Sequence, residues 1–155
     1  MPISNPVQNL FQQLVTLPDL CLVLGSAAAV CEMFLDPNTV DFRLDETSIT
    51  LENGPWHVHL DTARIRQIAF VVTPDTAHGN TAQQSYSVRF FDSTGTALLR
   101  VFFLGMYDAQ GHLKPARVQQ YEALRASGGG QAVLVLRDTL AAPVAPNTSA
   151  GDTTR

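Results

Sequence analysis

The stretch that decides the fold is SYSVRFFDSTGTALLRVFFL, residues 85–104. Two runs rich in β-branched and aromatic residues, 85–91 and 97–104, flank the turn Asp92-Ser93-Thr94-Gly95. A short polar connection with glycine near its end, set between two such runs, is typical of an antiparallel hairpin. Just upstream, QIAFVVT at residues 67–73 reads as a further strand that is apolar on both faces. Residues 67–104 therefore predict the centre of a large antiparallel sheet, with residues 74–81 as a loop.

Farther toward the N-terminus, apolar and polar residues continue to alternate with a period of two. Val40, Phe42 and Leu44 alternate with polar residues, and Asn53-Gly54-Pro55 provides a turn. Residues 56–60 follow as a strand whose apolar positions share one face. We expect a meander of short strands here.

Helical patterns lie near both ends of the chain. Asn5-Pro6 can start a helix that runs to about residue 15, and a second helix is expected from Pro115 to Ala126. Residues 20–25 read as a strand, residues 26–35 fit a helix or a strand, and residues 131–136 fit a last strand. The prediction is an α+β fold with a large antiparallel sheet and flanking helices. It forms a single domain over residues 1–140, followed by a disordered tail at 141–155.

The composition of the chain limits the classes of partner that the protein can bind. The chain has 155 residues, 45% of them hydrophobic and 15% charged, and a net charge of −4. No run of lysine and arginine is present, which argues against nucleic acid and against an anionic membrane surface. The longest apolar stretch, residues 20–31, is too short to span a bilayer, and residues 1–14 lack a signal-peptide pattern. A cytoplasmic location is the default, and the low charge fraction favours a dimer.

Nucleophilic chemistry has little support in the sequence. Cys21 and Cys31 have apolar neighbours and read as buried free thiols, although one disulfide between them is an alternative. No G-x-S-x-G motif and no phosphate-binding glycine loop occur. The sequence leaves open whether the protein is an enzyme and favours a protein that is not one.

The sharpest local feature is His57-Val58-His59. Two residues apart on a strand, both imidazoles share one face at a spacing of roughly 6.5–7 Å. They could ligate one metal ion, or one of them could reach a haem iron. The alternative is two polar residues on the solvent face of an amphipathic strand. A zinc site would need a further ligand, and the nearest acids in sequence, Glu46, Glu52 and Asp61, make no recognisable ligand spacing.

The order of several segments carries a resemblance that covers roughly half of the chain. His59-Leu60 is followed by IAFVV at residues 68–72, then SYSVRFFD-x-x-G at 85–95, then LLRVF at 98–102. A helix through Val118, Tyr121 and Leu124 closes the unit. In this order and spacing the chain resembles the cytoplasmic haem-utilisation carriers, the ChuX/HutX-like and HemS-like proteins.

The resemblance implies a haem-binding homodimer that serves iron acquisition by carrying haem in the cytoplasm. It implies that His59 is the axial ligand of the haem iron, with His57 beside it. Arg89 and Arg100 are candidates to pair with the haem propionates, because guanidinium matches carboxylate. These carriers have a second histidine on an earlier strand, near Asp36 in this chain, where none is present. His57, Tyr86 and Tyr107 are the alternative ligands.

Two further functions stay open at this point. One is a dimeric interaction or regulatory domain of the same fold that does not bind haem, for which the missing early histidine is the reason. The other is a small metal-dependent enzyme that uses His57 and His59.

Overall fold

The computed structural model describes residues 5–26, 28–76 and 79–136, with the backbone alone at residues 80 and 81. A large sheet has the strand order β2-β1-β8-β7-β6-β9, and a small sheet has the order β3-β4-β5. Every strand pairing in both sheets is antiparallel. With two helices packed beside them, the fold is α+β, as predicted. The elements in chain order are α1 (Pro6–Leu14), β1 (Leu20–Ser26), β2 (Ala29–Leu35), β3 (Asp41–Leu44), β4 (Ser48–Asn53), β5 (Trp56–Asp61), a 3-10 turn (Thr62–Arg64), β6 (Gln67–Asp75), β7 (Asn80–Phe91), β8 (Ala97–Phe103), α2 (Pro115–Ser127) and β9 (Val133–Val135).

The predicted hairpin is β7 and β8. Val88 lies opposite Val101 and Phe90 opposite Leu99, and all four side chains are buried. The turn is closed by Asp92, whose carboxylate accepts hydrogen bonds from the backbone N–H groups of residues 94 and 96, at 2.9 and 3.0 Å. The Thr94 hydroxyl, which donates to the same carboxylate, and then these backbone bonds hold the pKa of Asp92 below its ordinary value.

Both helices pack on the same face of the large sheet. In α1, Asn5 caps the first turn by accepting from the Val7 N–H at 3.0 Å, and Phe11 contacts Phe90 with ring centroids 5.0 Å apart. In α2, Tyr121 reaches the same side of the sheet and is 1% exposed. Within the described part of the chain, neither helix packs on the opposite face, which we call the open face. Its side chains come from the alternate strand positions, such as Val23, Phe34, Arg89, Arg100 and Phe102.

The small sheet covers another side of the same core. Ile49, Leu51, Val58 and Leu60 point inward and join the single hydrophobic cluster that the described residues form. The alternate positions of these strands therefore point outward, which places His57 and His59 on the outer surface.

Several sequence expectations change in the structure. Residues 29–35, left between helix and strand, form β2. The predicted loop at 74–81 is shorter, because β6 continues through Pro74 to Asp75 and β7 begins at Asn80, with a register shift after Pro74. Cys21 is buried as a free thiol, whereas the expectation of a buried Cys31 is wrong. Cys31 lies near the turn end of the β1–β2 hairpin, outside the hydrophobic core.

Two further predictions concern the C-terminal tail and a possible membrane span. The predicted disordered tail, residues 141–155, lies outside the described residues. No helix in the described part of the chain is both long and apolar enough to cross a membrane.

Candidate functional site

His57 and His59 lie side by side on the outer face of β5. Their ring centroids are 5.2 Å apart in an edge-to-face arrangement, and both side chains are exposed. The Nδ1 atom of His59 lies 3.0 Å from the Thr50 hydroxyl of the neighbouring strand. Nε2 of His59 has no hydrogen-bond partner among the described residues. A hydrogen bond to one ring nitrogen is what orients an imidazole so that the other nitrogen can ligate a metal.

The surroundings of this pair are polar. Glu52 lies opposite His57, and Arg43 binds Glu52 at 2.8 Å and Asp41 at 3.4 Å. The outer face of the small sheet thus presents charges and hydroxyls, with its apolar side chains turned toward the core. Among the described residues, no group of three or more histidine, cysteine or acidic side chains is placed to hold a metal ion. The two histidines therefore lack the third protein ligand that a zinc enzyme needs.

Arg89 and Arg100 lie opposite each other on the open face. Arg89 Nε donates to the Ser87 hydroxyl at 3.1 Å, and Arg100 Nη2 donates to the Gly25 carbonyl at 2.8 Å. Burial, and then the charge of Arg100, lower the pKa of Arg89. In the part of the chain that is described, neither arginine has a carboxylate within ion-pair distance. The structure brings together the two histidines and, separately, the two arginines, since each pair faces outward from a different sheet.

The tyrosines offered as alternative ligands are engaged elsewhere. Tyr86 is 7% exposed and lies in the core, with its ring 5.2 Å from that of Tyr121. The Tyr107 hydroxyl accepts a hydrogen bond from the Gln84 N–H at 2.7 Å. Asp36, at the place of the missing histidine, accepts from the Asn38 N–H in a turn. Among the described strand residues, this leaves His57 and His59 as the exposed imidazoles.

A cleft on the open face was not predicted from the sequence. It has a volume of about 460 Å³ and contains the Arg100 side chain. Its walls come from strands far apart in the sequence, so no local motif marks it. The only sequence signal is the presence of apolar residues at both alternating faces of β1, β2 and β8. The lining residues include Cys21, Val23, Val30, Glu32, Phe34, Ser85, Phe102, Leu104, Met106 and Tyr107.

Two of three comparisons with known proteins find similar proteins. A protein-family model matches residues 8–127, well over half of the chain. A search of curated proteins by sequence finds no match. Among solved structures, ChuX is similar over 81% of this chain and 73% of its own, at a TM-score of 0.63 and 17% identity. A second structure, of the heme-binding protein ChuX, is similar over 77% of this chain and 70% of its own, at a TM-score of 0.60 and 18% identity.

Longer proteins match over a part of their length. Holo-PhuS, a heme-binding protein from Pseudomonas aeruginosa, is similar over 76% of this chain and 32% of its own, at a TM-score of 0.56 and 17% identity. ChuS, an E. coli heme oxygenase, is similar over 78% of this chain and 35% of its own, with a TM-score of 0.57 and 14% identity. At such identities the likeness shows a shared fold.

Proposed function

Because this chain belongs to the family of ChuX-like and HemS-like proteins, we propose that it is a cytoplasmic haem-binding carrier that serves haem utilisation and iron acquisition. The observation that carries the proposal is the fold. It is shared, over more than three quarters of the chain, with solved proteins described as heme-binding. A fold alone does not determine function, so the proposal also needs a group in this chain that can ligate iron.

His59 supplies that group. Its imidazole is exposed, and Thr50 holds one ring nitrogen, so the other nitrogen is presented to solvent. A bound haem would supply the iron for this nitrogen to ligate. The free ring nitrogen of His59 is a suitable ligand for iron. Its charged neighbours Glu52 and Arg43, however, do not form the apolar surface that a porphyrin ring needs. A haem held at His59 by this chain alone would keep much of its ring open to solvent, and such exposure suits a carrier that passes its ligand on.

The test is a titration of the apo-protein with hemin, followed at the Soret band. We expect a saturable shift, and we expect His59→Ala to weaken it or change its spectrum. His112→Ala is the matched control, because His112 is also exposed but lies in a loop beside Asp108 at 3.3 Å. No saturable shift, or identical spectra for the wild type and His59→Ala, would remove the proposal.

We further propose that the protein is a homodimer, with the open face of the large sheet as the contact surface. Phe34 and Val135, on strands at opposite edges of that face, are 64% and 67% exposed. Large apolar side chains so exposed on one face mark a surface that another protein covers.

A second candidate function is a dimeric interaction or regulatory domain of this fold that does not bind haem. The observation in its favour is the polar outer face of the small sheet, which offers no apolar wall near the histidines. Saturable hemin binding that depends on His59 would exclude it.

A further inference from the structure

The imidazoles of His57 and His59 lean toward each other on the outer face of β5. Residues two apart on a strand are separated by roughly 6.5–7 Å along the backbone, yet the centroids of these two rings are only 5.2 Å apart. Two imidazoles bound to one metal ion, with metal–nitrogen distances of about 2.0–2.1 Å, have their centroids roughly 4.5–5.5 Å apart. The observed spacing therefore matches that of two rings that share one ion.

The hydrogen bonds of the pair leave ring nitrogens available for such an ion. The Thr50 hydroxyl lies 3.0 Å from Nδ1 of His59 and can accept from an Nδ1–H group. That tautomer places the lone pair of His59 on Nε2, as in metal-binding histidines whose other nitrogen is held by a hydrogen bond. Within the described part of the chain, the His57 side chain makes no hydrogen bond, so its ring is free to turn toward the same ion.

The charges around the pair do not repel a cation. Arg43 pairs with Glu52 at 2.8 Å and with Asp41 at 3.4 Å, so two carboxylates outweigh one guanidinium. Glu52 lies directly opposite His57 on the neighbouring strand. Among the described residues, no third histidine, cysteine or acidic side chain is placed to complete a metal site. Because both histidines are exposed, water can fill the remaining coordination positions.

We propose that His57 and His59 together bind one divalent cation of the late first-row transition series, with water as the other ligands. Imidazole nitrogen suits Ni²⁺, Cu²⁺ and Zn²⁺, and Cu²⁺ binds such ligands most tightly of the three. This is a binding site and not a catalytic zinc centre, which has three protein ligands. The site gives His57 a role of its own and does not require haem.

The cation and haem iron use the same atom of His59. A lone pair on Nε2 serves one metal at a time, so a bound cation prevents His59 from ligating haem iron, whereas His57 contributes to the cation alone. This competition, unlike the cation site itself, rests on the proposed haem function.

The test is a titration of the apo-protein with Cu²⁺, followed by electron paramagnetic resonance. Cys31→Ser is the parent of all variants, because the exposed Cys31 thiol also reacts with Cu²⁺. We expect one bound ion per chain, with the hyperfine pattern of two nitrogen ligands, and we expect His57→Ala to lose that pattern. His112→Ala removes an exposed imidazole beside Asp108 and should keep it. Identical spectra for the parent and His57→Ala would overturn the proposal.

Thr50 supplies a second readout, as the residue that positions His59. Thr50→Val removes the hydroxyl and should weaken Cu²⁺ binding about tenfold, the lower end of the range for groups that orient a metal-bound imidazole. Ser48→Ala is the matched control, because it removes a hydroxyl from the same strand at a position opposite Asp61. Equal affinities for these two variants would contradict the orientation of His59 on which the site depends.

Further outcomes separate the cation site from the haem proposal. If Cu²⁺ binds through two nitrogens but hemin binding does not depend on His59, the cation site stands and the haem ligand role falls. If hemin binds through His59 but His57→Ala leaves the Cu²⁺ spectrum unchanged, the reverse holds. Where both bind, we expect saturating Cu²⁺ to weaken hemin binding in the parent. Independent binding of the two would contradict a shared nitrogen of His59.

Discussion

Arg117 illustrates how a single buried charge holds three elements together. Its side chain is 6% exposed, and Nη2 donates to the carbonyl oxygens of Asp19, ahead of β1, and Leu104, after β8, at 3.1 and 2.9 Å. The guanidinium also lies 5.3 Å from the ring centroid of Phe103. Burial lowers the pKa of Arg117, and the charge of Asp19 acts in the opposite direction.

We expect Arg117→Met to lower the free energy of unfolding by about 2 kcal/mol, because two carbonyl oxygens lose a charged donor. Arg125→Met is the control, since the Arg125 side chain, within the described residues, makes only an exposed pair with Glu122, and its loss should cost at most about 0.5 kcal/mol. Urea denaturation measures both. If both variants lose the same free energy of unfolding, the buried guanidinium of Arg117 contributes no more to stability than the exposed one of Arg125.

The Asp92 turn predicts a pH dependence. A carboxyl whose pKa is lowered by folding adds stability above its unfolded pKa of about 4, and that stability is lost as the pH falls through the folded value. We expect Asp92→Asn to be less stable than the wild type at pH 7, with a gap that narrows below about pH 4. Glu46→Gln, at an exposed carboxyl with no hydrogen bond in the described chain, is the control. A gap for Asp92→Asn that stays constant from pH 7 to pH 3 would contradict this account.

At the scale of elements, α2 is fixed to the sheet through Tyr121. Its ring lies edge-on to Phe70, Tyr86 and Phe103 at centroid distances of 5.9, 5.2 and 5.1 Å. Its hydroxyl donates to the Ser87 carbonyl at 3.0 Å. The anchor therefore combines apolar packing with one buried hydrogen bond.

Two variants separate these contributions. Tyr121→Phe removes only the hydroxyl and should cost about 1 kcal/mol. Tyr121→Ala also removes the ring and should cost about 3–5 kcal/mol. Chemical denaturation gives both values, and an alanine variant as stable as the phenylalanine variant would refute the packing role.

The elements differ in how well the sequence predicts them. The β7–β8 hairpin was predictable because its alternation and its Asp-to-Gly turn agree with each other. The structure of residues 29–35 was not predictable, since their apolar residues fit a helix as well as a strand. They form a strand because they pair with β1. Pro74 suggested the end of β6, yet it keeps the register of the strand opposite Gln84, and β6 continues to Asp75 after a register shift.

At the scale of the whole molecule, the two outer surfaces have opposite characters. The small sheet presents the histidines among charged side chains, whereas the open face presents apolar side chains and the arginine pair. The alternation around His57 and His59 correctly placed both imidazoles on one face. The separation of the histidines from the arginines, and the cleft, depend on pairings between distant strands that local patterns do not encode.

The open face predicts the oligomeric state. We expect the wild type to be a dimer in light scattering, and Phe34→Glu, which places a charge where apolar surface would be buried, to shift it to a monomer. His57→Glu, on the small sheet, should stay dimeric. A wild type that is monomeric throughout the micromolar range, or a Phe34→Glu variant that stays dimeric, would count against this surface.

The ligation of haem iron by His59 is tested most directly by rescue with free imidazole. His59→Gly leaves a gap beside Thr50 into which imidazole from solution can enter. We expect hemin-loaded His59→Gly to lose the wild-type Soret spectrum and to regain it when imidazole is added. A wild-type spectrum for His59→Gly in the absence of imidazole would contradict it.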